Sequence, residues 1–192
     1  LPAGSDRAML AQRPGSTEVV VDDWTRAHAV RTGMFWAITL TVAANAMVFT
    51  GLAFHQISLL GEAGLSPTAA AANFLPQTVA SVLSMGLVGF FAHRVPARVM
   101  LGVSMVLLAL ATLMIQFLDA GWIPVAYGLL LGAAGGTGFA AEGVLYPRYF
   151  GVQAIASIRG LAFTVSVAAA AVGPIIVGVA HAASGSYRLG AG

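Results

Sequence analysis

Glu142 is the only acidic residue that falls inside an apolar run of this chain. An ionised carboxylate left unpaired at membrane depth costs about 3 kcal/mol or more, so this side chain needs a partner or a proton. Two readings follow. As a coupling group, Glu142 would carry a proton or bind a solute. As half of an ion pair with Arg148, Arg94 or Arg98, it would latch one end of a helical bundle. We favour the latch, because long arginine side chains can reach a carboxylate in the inner third of a bilayer.

Asn45, His55, Asn73 and Gln77 also interrupt apolar stretches. Asn73 and Gln77 are one helical turn apart and so share a face. At such depth, polar groups point into a bundle or a cavity. They could line a solute path, or they could hydrogen-bond between helices at about 0.6 kcal/mol each. Pro76, beside Gln77, has no N–H to continue a helical ladder and would free a carbonyl.

The stretch GAAGGTGFAAEG, residues 132–143, places Gly132 and Gly136 on one face. No lysine follows it and no strand precedes it, so it is not a phosphate-binding loop. Small residues at that spacing make a packing surface for another helix. His28 and His181 are expected at interfaces, since no histidine pair has metal-ligand spacing. There is no cysteine, no pair of carboxylates and no serine with a matched histidine and acid. No metal, cofactor or enzymatic activity is expected.

The elements that would hold these residues are membrane helices. The chain of 192 residues is 58% hydrophobic and 8% charged, with a mean hydropathy of +0.87. A soluble domain carries roughly 25% charged residues. Apolar segments cover about 34–60, 67–92, 99–118, 122–147 and 155–182. Each satisfies the requirement of about 20 residues for a spanning helix, and none alternates like a barrel strand. Ser66 and Pro67 suit the cap and first position of the second helix. Residues 1–32 are polar and mixed in charge, expected as a cytoplasmic linker ending in a short surface helix around Trp24, His28 and Arg31. Residues 33–192 form the transmembrane bundle, and the expected fold is all-α and polytopic.

All nine basic residues are arginines. With the N-terminus in the cytoplasm, Arg7, Arg13, Arg26, Arg31, Arg94, Arg98, Arg148 and Arg159 lie inside and only Arg188 outside. The positive-inside rule then orients the chain. This distribution makes no nucleic-acid-binding face, and the partners to expect are membrane lipids.

The turn GFFAHRVPAR, residues 89–98, resembles the loop signature of the major facilitator superfamily: a glycine, then Asp-Arg-x-Gly-Arg and a further basic residue. Gly89, Arg94 and Arg98 match it, whereas His93, Pro96 and Ala97 stand at its aspartate, second glycine and middle basic positions. YPRYFG at 146–151 with SIRG at 157–160, GPIIVG at 173–178, GSYR at 185–188 and DWTRAHAVRTGMFW at 23–36 are similar to segments of bacterial monocarboxylate-type members.

The resemblance implies five helices of the C-terminal six-helix half of such a transporter, with the N-terminal half as partner. It implies secondary transport of a small solute by alternating access, with an organic anion as the solute and protons as a candidate coupling ion. It also implies a cytoplasmic gate of Gly89, His93, Arg94, Arg98, Arg148 and Arg159, in a bacterial inner membrane. With no aspartate in the loop, Arg94 becomes the preferred partner for Glu142. The alternative is a helical bundle that does not transport, or the remnant of a transporter gene.

Cysteines introduced singly at Ala63 and Arg94 test the topology. An impermeant thiol reagent should label them from opposite sides of the membrane, and labelling of both from one side would refute it.

Overall fold

The structure, a computed structural model, describes residues 25–119, 121–151 and 154–185. All regular structure among them is helical: α1 (Arg26–Val30), α2 (Gly33–Glu62), α3 (Pro67–Ala72), α4 (Phe74–Phe91), α5 (Ala97–Met114), α6 (Ile123–Phe150) and α7 (Ile155–Ser184). A short 3-10 turn, Ile115–Phe117, ends α5. Among the described residues five stretches are long and apolar enough to cross a membrane: α2, α3 with α4, α5 with its 3-10 turn, α6 and α7. This is the architecture of a multi-pass membrane protein. Trp24, Arg7, Arg13, Arg188 and the segment 186–188 lie outside the described residues.

Local chemistry sets the boundaries. Thr25 and Thr32 cap α1 and α2, each hydroxyl accepting from a backbone N–H three residues on, at 3.3 Å. Trp36 Nε1 donates to the Val30 carbonyl at 2.9 Å and ties the two helices together. After α2 the chain reverses through Gly64, whose φ of 90° is a left-handed geometry that glycine adopts without strain. Ser66 then caps α3, its hydroxyl accepting from Ala69 N at 3.2 Å, with Pro67 at the first position.

The second span breaks at Asn73, between α3 and α4. Pro76 is the cause: it has no N–H to offer the carbonyl of Ala72, four residues back, and its ring crowds that carbonyl. Pro147 has a milder effect. It lies inside α6, which runs on to Phe150 rather than ending near residue 147. The extra turn packs Tyr146 and Phe150 against Phe35 of α2, with ring centroids 6.5 and 6.1 Å apart.

Helix directions follow from matched close approaches. Gly128, Gly132 and Gly136 of α6 lie against Asn73, Gln77 and Ser81 of the second span, four residues answered by four, so α4 and α6 run parallel. A Cβ on Gly132 would fall on the Gln77 carbonyl, and one on Gly136 on the Ser81 carbonyl. Gly51 of α2 and Gly173 of α7 meet the same way, with Gly173 against the Met47 carbonyl. Gly135 and Gly138, on another face of α6, accept Phe49 of α2 and Ser104 of α5. So α6 is the central helix, and α2 and α7 form a parallel pair beside it. Arg31, Arg94, Arg98, Arg148 and Arg159 make one arginine-rich end; Glu62 and Asp119 mark the other.

The glycine contacts make a direct forecast. Gly132→Ala and Gly136→Ala should each lower stability by roughly 1–3 kcal/mol, because backbone must move aside. Gly143→Ala, with open space around its Cβ, should not. Thermal unfolding in detergent separates the three; equal melting temperatures would refute this packing.

Candidate functional site

Near mid-membrane, three helices are joined by a short polar chain. Asn45 Nδ2 of α2 donates to Ser104 Oγ of α5 at 2.7 Å, and Ser104 Oγ donates to the Ala134 carbonyl of α6 at 2.8 Å. Ser104 is fully buried and Asn45 is 8% exposed. Closer to the arginine-rich end, Thr39 Oγ1 and the Tyr146 hydroxyl, both fully buried, share a hydrogen bond of 3.0 Å between α2 and α6. In hydrocarbon, such bonds hold helices that hydrophobicity alone cannot sort.

Beside the Asn45 junction a cleft of about 320 Å³ opens between α2, α4, α5 and α6. Its polar lining is Asn45, Thr50, Ser81 and Glu142, and Phe49 and Phe139 stand among its apolar walls. That volume lies within the range of small-molecule sites, about 300–1,000 Å³. Glu142 is half-buried, and no ion pair holds it within 4.0 Å among the described residues.

The expected Arg94–Glu142 latch is not made. The register explains why. Gly136 lies over Ser81, so Glu142, six residues further along α6, is level with Leu87 of the parallel α4. Arg94 lies seven residues beyond that, about 10 Å at 1.5 Å per residue. Arg148 is also engaged elsewhere: its Nη1 donates to the Ala92 carbonyl at 3.4 Å and ties α6 to the end of α4. Arg159, at the start of α7, is exposed and makes no ion pair with Glu142 within 4.0 Å.

The other anticipated residues scatter. His55 faces Gly178 of α7, with Nδ1 3.2 Å from the Gly51 carbonyl of its own helix. Asn73 and Gln77 share a face, but that face is pressed against the α6 glycines and does not line the cleft. Among the described residues the Asn73 amide and Gln77 Oε1 are buried without a hydrogen-bond partner, as are the Gln56 amide and the Tyr127 hydroxyl. At the arginine-rich end His93, Arg94, Arg98 and Arg159 are exposed. Gly89 is exposed too and has open space around its Cβ, so no close contact there demands a glycine. Arg98 borders a separate groove with Met34 and Tyr149.

Three features escaped sequence reasoning. Ser104 and Thr39 are short hydroxyls in apolar helices, a common occurrence with no visible mark of a partner. Glu62 and His181 form the third: His181 Nε2 lies 2.7 Å from Glu62 Oε1, joining the far ends of α2 and α7. Among the described residues no three His, Cys, Asp or Glu side chains converge as a metal site.

No model of a known protein family matches the chain, and no curated protein matches it.

Because the chain has no cysteine, paired thiols report these contacts cleanly. Glu62→Cys with His181→Cys should be joined by a short bifunctional thiol reagent, and Arg94→Cys with Glu142→Cys should not. The opposite pattern would restore the latch and overturn the register.

Proposed function

We propose that this chain is the membrane bundle of a secondary transporter, moving a small solute by alternating access with its arginine-rich end in the cytoplasm. One observation carries the proposal: the cleft beside the Asn45–Ser104 junction, with Glu142 in its wall. A bundle that served only as a scaffold has no use for a half-buried carboxylate in an apolar helix, which costs free energy to keep there. On a solute path the same group is useful, since it can change its charge or its ligand between states.

Further support comes from the helices. The second span is broken at Asn73, away from the cleft, and discontinuous helices are common in transporters. The glycine faces of α6 let helices lie close without interlocking side chains, which suits sliding. The resemblance of residues 89–98 and 146–160 to major facilitator segments points the same way, and it supplies the second bundle as the partner against which this one would rock. Arg148, bonded to the Ala92 carbonyl, would hold the α4–α5 turn to α6 at the cytoplasmic face.

The full-length gene product in liposomes provides the test. It should take up solute, and Glu142→Gln should reduce uptake by at least tenfold while leaving the melting temperature close to that of the parent. An unaltered gradient-driven rate in that variant would remove Glu142 from the mechanism.

A further inference from the structure

The cleft has a charge and a polarity, and together they define what it can hold. The Ser104 hydroxyl has one proton, and the geometry gives it to the Ala134 carbonyl. Ser104 Oγ can therefore only accept from Asn45, so the contact at 2.7 Å must be made by the amide nitrogen. The amide orientation follows from this chemistry. Oδ1 of Asn45 is then left on the cleft side, seated over Gly138, where a Cβ would come within 3.2 Å. Asn45 itself lines the cleft and keeps a small exposed surface. Ser104 is a positioning residue for that carbonyl.

The acceptors converge. Asn45 presents a fixed carbonyl oxygen and Glu142 a carboxylate, while Thr50 and Ser81 offer hydroxyls. Among the described residues no arginine or histidine lines the cleft. Arg159 is exposed at the end of the bundle and does not line it. Thr50 and Ser81 can donate, but they are neutral and cannot compensate an anion for the water it gives up. Phe49 and Phe139 also line the cleft, and aromatic rings there can attract a cation and pack against an apolar body.

Resting on the transport reading above, we infer that the cleft binds a small organic cation, a protonated amine carrying an apolar or aromatic group. The ammonium donates to Asn45 Oδ1 and to ionised Glu142, and the apolar part lies against Phe49 and Phe139. An organic anion, the solute suggested by the sequence resemblance, would meet two acceptors and no cation.

Binding of 2-phenylethylammonium and of benzoate to the full-length gene product, measured by calorimetry in detergent at neutral pH, tests the inference. The amine should bind and benzoate should not. Glu142→Gln should weaken amine binding at least tenfold, with Glu142→Asp retaining part of it, and both variants should elute as folded protein. Ser104→Ala should weaken the amine several-fold by releasing the Asn45 amide. Binding of benzoate, an amine affinity unchanged in Glu142→Gln, or binding of neither probe would overturn it. Uptake assays separate the two claims. Amine binding without amine uptake would refute transport and leave the cation site standing, whereas benzoate uptake would keep transport and refute the cation site.

Discussion

Everything in this bundle depends on how closely α6 can approach its neighbours. Gly132 and Gly136 bring its backbone onto the Gln77 and Ser81 carbonyls, leaving no room for even a methyl group. In water, burying leucines would hold such helices together. In lipid, the surroundings are as apolar as leucine, so association relies on dispersion across close surfaces and on polar bonds between helices. The α4–α6 contact supplies the first, and the Asn45–Ser104–Ala134 chain supplies the second. With α6 fixed on one face by glycines and on another by that chain, its remaining residues are aimed. Glu142 is aimed into the cleft.

The same contact decides which electrostatic arrangement is available. A parallel register places Glu142 about two turns short of Arg94, and among the described residues no arginine lies within 4.0 Å of its carboxylate. The carboxylate is left half-buried and unlatched, which is expensive unless the site uses it. The Asn73 amide, pressed against Gly128 of α6, and the buried Gln77 Oε1 show the reverse case. The glycines that admit them leave no space for a hydrogen-bonding partner. Close packing thus gave one polar cluster a cleft and closed off another.

A second division runs along the bundle. The arginine-rich end is tied by a side chain to a backbone carbonyl, Arg148 to Ala92. The opposite end is tied by Glu62 to His181, across the α2–α7 pair. Between them, α2 and α7 touch at Gly51 and Gly173, close to the middle of both helices.

Much of the architecture was legible in the residues alone. Five apolar runs of spanning length dictate five helices, because backbone polar groups in hydrocarbon must be satisfied within each segment. Ser66 with Pro67 marked a helix start, Pro76 marked a break, and the Gly132–Gly136 spacing marked a packing face. All of these are local: their cause lies within a few residues of their effect. The convergence of side chains was not legible. Asn45 meets Ser104, Thr39 meets Tyr146, and Glu62 meets His181 because of how helices far apart in the chain slide past one another. No local pattern encodes that sliding, since it is set by which side chains leave room at each crossing. Glu142 could be singled out from its charge in an apolar run, but whether it faced an arginine or an open cleft was decided by the register of α6 on α4.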